Sequence, residues 1–202
     1  MCCPEKAPIR NFAMNKTLYL TFLTIAVLFY SCSSSKLYID EEKRYDAGSL
    51  SQAQLDSLHH YLKQNDRVKL KDTLIIKYDF NNDACWNDLN GQNPEFINNV
   101  RWAFQKNIID KSAKRLMVSI YQYKEQGKNF SDVKSSGLEI ETDAGLLRRM
   151  LFREITTCGS SAIVLPDGKY LLVKSDPQFS ALLLSAKDVN AKILHHLVKT
   201  PE

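Results

Sequence analysis

Cysteine offers the most chemistry in this chain, at Cys2, Cys3, Cys32, Cys85 and Cys158. A thiolate attacks disulfides, a thiol pair closes one, and an exported thiol accepts lipid. Compartment decides which of these applies, and the N-terminal segment addresses the compartment. Asn15-Lys16 precedes an uncharged run from Leu18 to Tyr30, and Ser31-Cys32-Ser33-Ser34-Ser35 follows it. A basic start, an apolar centre too short for a stable membrane-spanning helix and small residues at the exit describe a secretory signal over residues 1–31. Met14 stands directly ahead of the basic pair, so residues 1–13 read as a misassigned start, and Cys2 and Cys3 receive no function.

The sequence Leu28-Phe29-Tyr30-Ser31-Cys32 resembles a bacterial lipoprotein signal. The resemblance implies cleavage before Cys32 and lipid on its thiol. It places the protein in the bacterial cell envelope, anchored to a membrane through Cys32 and facing the periplasm or the surface. Each buried methylene of an acyl chain adds about 0.8 kcal/mol, so several chains make attachment effectively permanent. An ordinary signal peptide or an uncleaved anchor is the alternative reading. Residues 32–49 are polar and without sustained apolar periodicity, which suits a lipidated tether, and one domain is expected over residues 50–202.

Cys85 and Cys158 are then the thiols left to the exported domain. In an oxidising compartment, such a pair is compatible with a structural disulfide, a redox couple or two unrelated buried thiols. Their separation in sequence does not choose, so the elements around them must. The pattern predicts a helix from Ser51 to about Asn65, with Leu55, Leu58 and Leu62 on one face, and a strand from Asp72 to Phe80. The apolar centre Leu74-Ile75-Ile76 suggests that this strand is buried on both faces. Cys85-Trp86 follows at its exit. Pro94 suits the first turn of a helix carrying Phe96, Ile97, Val100, Phe104 and Ile108, and Lys114 to Tyr123 reads as a second strand. A right-handed crossover between parallel strands is the economical connection. Lys124 to Ile140 reads as a loop, and Thr142 to Phe152 as a short helix. A hairpin joins Ala162–Leu165 to Tyr170–Val173 through Pro166-Asp167-Gly168-Lys169, and a last helix spans Ala186 to Val198.

This order resembles a thioredoxin-like domain of the peroxiredoxin and cytochrome-maturation type. The likeness rests on Ile75-Ile76-Lys77-Tyr78-Asp79-Phe80 before the Cys85-Trp86 turn, on Pro94, and on the Ile163 to Lys169 hairpin. It implies an α/β fold, a thioredoxin-like three-layer sandwich with a mixed central sheet. The departures bear on chemistry. Cys85-Trp86-Asn87-Asp88 lacks the second cysteine of the family's active turn, and an Asp88 carboxylate near Cys85 would oppose thiolate formation. Gly159-Ser160-Ser161 stands where the family carries a cis-proline. If the alignment holds, the active turn and the loop before the hairpin meet, which brings Cys85 and Cys158 together.

Two functions follow from that reading. One is a non-catalytic binding or structural role for a degenerate domain. The alternative is an atypical thiol–disulfide oxidoreductase with Cys85 as nucleophile and Cys158 as resolver. No cofactor is expected, since the chain has no phosphate-binding loop, dinucleotide fingerprint or zinc motif. Asp79, Asp83 and Asp88 suit a solvated turn better than a cation site. Trp86 and Trp102 suit packing better than a ligand site. Ser160 and Ser161 lack a nucleophile-elbow setting, and the adjacent pairs His59-His60 and His195-His196 diverge around their helices. The net charge is only +4, with acids and bases interspersed. The Lys111, Lys114 and Arg115 cluster therefore argues for no nucleic-acid partner, and an envelope protein is the partner class expected besides the membrane.

Overall fold

The computed structural model describes residues 41–65, 68–127 and 137–199. In chain order these residues form a helical turn α1 (Glu41–Arg44), strand β1 (Tyr45–Ser49), helix α2 (Gln52–Leu62), strand β2 (Thr73–Asp79) and a helical turn α3 (Ala84–Asn87). Helix α4 (Pro94–Ser112), strands β3 (Val118–Glu125) and β4 (Glu141–Asp143), and helix α5 (Leu146–Met150) follow. Strands β5 (Ser160–Val164) and β6 (Lys169–Lys174), a 3-10 turn (Ser180–Leu183) and helix α6 (Ala186–Lys199) complete the domain. The result is an α/β fold on a mixed six-stranded sheet of order β1-β6-β5-β2-β3-β4. The expected signal, Cys32 and residues 32–40 of the expected tether lie outside the described residues. Among the described residues, no helix is long and apolar enough to cross a membrane.

Strand β2 occupies the interior of the sheet because its side chains are wanted on both faces. Leu74, Ile76, Tyr78 and Phe80 point into one core with Leu55, Leu58 and Leu62 of α2 and with Leu147, Leu151 and Phe152 at α5. Ile75 points the other way, into a second core with Ile108 of α4, Phe179 and Leu182 at the 3-10 turn, and Val189 and Ile193 of α6. Helices therefore cover both faces. Each fully buried Leu or Ile contributes about 1.5–3 kcal/mol, so burial in the two cores is the main support of the sheet.

Local rules place the flanking elements. Ser51 caps α2 in a reciprocal capping box with Gln54, and Asn93 caps α4 ahead of Pro94. Strand β2 pairs parallel to β3, with Ile75 opposite Ile120, and antiparallel to β5, with Lys77 opposite Ser161. The Pro166–Lys169 turn closes the β5–β6 hairpin, with Gly168 at φ +82°.

Three expectations need correction. Tyr45–Ser49 is not tether: it pairs antiparallel with β6 as an edge strand, with Tyr45 opposite Val173, so the domain starts before residue 50. Five polar or small residues show no pattern to read, and the partner strand supplies the order. Lys124 and Glu125 extend β3, and Glu141–Asp143 is a strand beside it rather than the start of a helix. The first turn of α5 instead leans on Asp143, which accepts hydrogen bonds from the backbone N–H groups of Leu147 and Arg148 and from the Tyr61 and Tyr78 hydroxyls. Trp102 is 68 % exposed and packs in no core.

Candidate functional site: the Cys85–Cys158 disulfide

The exit of β2 and the approach to β5 lie side by side because those strands are hydrogen-bonded neighbours. Cys85 rides on the helical turn directly after β2, and Cys158 lies two residues before β5. The Ala84 N–H donates to the Thr157 carbonyl at 2.9 Å, which joins the two segments backbone to backbone. Cys85 and Cys158 form a disulfide there, with Cα atoms 5.1 Å apart across 73 residues of chain. Cys85 is partly exposed, whereas Cys158 is 1 % exposed.

Charge is concentrated beneath this bond. Along one face of β2, Ile75 is followed by Lys77 and then Asp79, and the last two are 1 % and 2 % exposed. Lys77 Nζ donates to Asp79 Oδ1 at 2.7 Å. Asp79 Oδ2 has no hydrogen-bond partner. Asp83, also 1 % exposed, accepts the Cys85 N–H at 2.8 Å through Oδ1, and so fixes the turn that presents the cysteine. On the neighbouring strand, Ser161 donates to buried Asp176 at 2.7 Å. Burial alone would lower the Lys77 pKa, but Asp79, Asp83 and Asp176 together outweigh it and hold the ammonium above its ordinary value.

Gly159 makes this arrangement sterically possible. It adopts φ +60°, and a Cβ there would collide with Lys77 Nζ and stand 2.8 Å from the Tyr78 carbonyl oxygen. The residue beside Cys158 must therefore be glycine for the chain to pass over the buried pair. No cis peptide bond occurs among the described residues.

A cavity of about 160 Å³ opens over the disulfide, lined by Asp79, Asp83, Cys85, Leu89, Phe104 and Cys158 among others. This volume suits a side chain or an ion better than a cofactor-sized molecule, which needs roughly 300 Å³ or more. Its floor is anionic and its far wall, from α4, is apolar.

The sequence had singled out Cys85 and Cys158, and the structure joins them. It does not gather the other candidates. Asp88 is exposed, while Asp83 is the carboxylate that touches the cysteine turn. His60 and His195 are exposed. Lys77 was missed, although a signal existed: a lysine and an aspartate two apart on a strand whose apolar centre demands burial on both faces must be buried together. Comparison with protein-family models, with curated proteins and with solved structures found no match.

Proposed function

We propose that this protein is a thiol–disulfide oxidoreductase of the bacterial cell envelope, built on a thioredoxin-like domain and tethered through lipid on Cys32. The observation that carries the redox reading is the asymmetric disulfide: Cys85 faces the cavity partly exposed, Cys158 is buried behind it, and a Lys77–Asp79 ion pair lies beneath. A bond serving only to staple two segments has no use for a buried ion pair, which is costly to desolvate. The strand order supports the thioredoxin-like reading. Parallel β2 and β3 are flanked by the antiparallel β5–β6 hairpin, and the cysteine turn lies at the carboxyl end of the central strand. The tether reading rests on residues 15–35 of the sequence.

Exposure dictates the order of bond changes. A substrate thiolate attacks Cys85 Sγ, the Cys85–Cys158 bond breaks, and Cys158 leaves as a thiolate that takes up a proton. The substrate's second thiolate then attacks the mixed disulfide at its own sulfur. The products are a substrate disulfide and the protein dithiol, so two electrons pass to the protein. In reverse, Cys85 thiolate attacks a substrate disulfide and Cys158 resolves it.

Trapping tests this assignment. Cys158→Ser accumulates mixed disulfides at Cys85 and Cys85→Ser accumulates none at Cys158, as read by peptide mapping after incubation with a disulfide-bonded peptide, whose second sulfur leaves as a free thiol. Equal trapping at both positions, or a disulfide that resists reduction until the protein unfolds, overturns the proposal. A second reading is a non-catalytic scaffold, favoured by the burial of Cys158 and by the turn's single cysteine. It predicts that Cys85→Ala and Cys158→Ala retain function wherever they fold.

A further inference from the structure

The cavity beside the disulfide holds more ligating atoms than thiol exchange requires. Among the described residues, Asp83, Cys85 and Cys158 form the one group of this kind whose candidate ligand atoms all lie within 4.8 Å of one another. A carboxylate oxygen of a second residue, Asp79 Oδ2, is buried without a hydrogen-bond partner, and Asp79 lines the same cavity. We propose that the reduced protein binds one zinc(II) ion in this cavity through the Cys85 and Cys158 thiolates and the Asp83 carboxylate, with a water in the fourth position and the buried Asp79 carboxylate adding negative charge beside it. The inference rests on the redox reading above, since only a pair that can be reduced in the folded state offers two thiolates.

The chemistry of the donor set selects the metal. Two thiolates disfavour magnesium and calcium, which take oxygen ligands, while a carboxylate is a poor partner for copper(I); zinc accepts both donor types in a tetrahedron. Zinc–sulfur bonds of about 2.3 Å and zinc–oxygen bonds of about 2.0–2.2 Å put tetrahedral ligands roughly 3.3–3.8 Å apart. The Asp83 oxygen, within 4.8 Å of both sulfurs, must close by up to about 1.3 Å, and the sulfurs, once no longer bonded, must move apart to about 3.8 Å, both within reach of side-chain rotation. Lys77 Nζ bonds Asp79 through Oδ1 and the Cys85 N–H bonds Asp83 through Oδ1, so both carboxylates are oriented beside the sulfurs. Such partners orient ligands in metal sites generally.

The disulfide makes this a redox-gated site. Reduction by a dithiol donor cleaves the bond and yields two thiols plus the donor's disulfide. Zinc then displaces both thiol protons, and the metal-bound pair no longer exchanges with substrate disulfides. Oxidation, with two electrons passing from the thiolates to an acceptor disulfide, reforms the bond and expels the ion.

Zinc binding to the full-length protein in mild detergent provides the test. The disulfide is reduced with a water-soluble phosphine, metal is removed with a chelator without oxygen, and zinc is titrated against a chromophoric chelator. Reduced protein should bind one zinc per chain with release of thiol protons, and oxidised protein none. Cobalt(II) in place of zinc should give thiolate-to-metal absorption and a tetrahedral visible spectrum. Asp83→Asn keeps the oxygen that accepts the Cys85 N–H, so it should fold as the parent does yet bind at least about tenfold more weakly. Cys85→Ser should abolish one-to-one binding. Zinc affinity unchanged in Asp83→Asn, or copper(I) retained in preference to zinc, overturns the assignment. Folded protein with two free thiols and no zinc binding overturns this inference and leaves the redox reading standing. Protein that unfolds on reduction removes both.

Discussion

Reduction of the Cys85–Cys158 bond should weaken the fold without dissolving it. The bond closes 73 residues of chain, for which the loop-entropy relation assigns a stabilisation of about 4 kcal/mol at 25 °C. That loop contains α4, β3, β4 and α5, but the buried contacts of these elements are made elsewhere, in the cores on either side of β2. Denaturant unfolding of oxidised and reduced protein, followed by circular dichroism, should show two cooperative transitions of similar slope. The reduced protein should be less stable by up to about 4 kcal/mol. By linkage, the same difference lowers the potential of the bond in the folded protein by up to about 90 mV relative to the unfolded chain, at 30 mV per 1.4 kcal/mol. A redox titration in glutathione buffers, with and without denaturant, measures that shift independently. Loss of the cooperative transition on reduction would refute the reasoning, because it would make the disulfide a staple on which folding depends. A stability loss far above 4 kcal/mol would show that the bond's contribution is not chain entropy.

Other perturbations probe the charged floor and the fold's response to pH. Lys77→Met strands Asp79 as a buried carboxylate without its cation and should cost about 3–5 kcal/mol, much of it recovered in Lys77→Met/Asp79→Leu; equal stabilities for the two variants in thermal melts would contradict this. Gly159→Ala forces a Cβ against Lys77 and the Tyr78 carbonyl at a left-handed φ; it should lower the melting temperature and disturb the disulfide, whereas Ser160→Ala, whose side chain does not meet the pair, should do less. Burial raises the pKa of Tyr61 to about 12 and also raises those of Tyr78 and Tyr123, while neighbouring carboxylates raise that of Lys77. All four folded-state values exceed their unfolded ones, so their contribution is intact below about pH 10 and is lost as pH rises beyond it. Phenolate absorbance should therefore rise together with unfolding in an alkaline titration; a smooth rise in a protein that stays folded would contradict the packing described for these rings.

Sequence and tertiary structure divide this protein cleanly. The expectation of an export signal ending at Cys32 rests on residues 15–35 alone, a pattern of neighbouring residues that needs no fold to be read. Helices α2 and α4 were legible through their caps and their periodic Leu and Ile, and β2 through its unbroken apolar run, because these signals act between residues close in the chain. Strands β1 and β4 were not, since Tyr45–Ser49 and Glu141–Asp143 take their conformation from partner strands far away in sequence. The cysteines were visible as candidates, but their bond depends on β2 and β5 being neighbours, a long-range fact. Likewise, Lys77 and Asp79 are adjacent on one strand face by simple alternation. What makes them an ion pair rather than two solvated charges is α4 closing over that face, with Gly159 passing just above. Local sequence specifies which side chains share a surface; only the packed chain decides which surface loses its water, and the strength of every charge and thiol at this site follows from that.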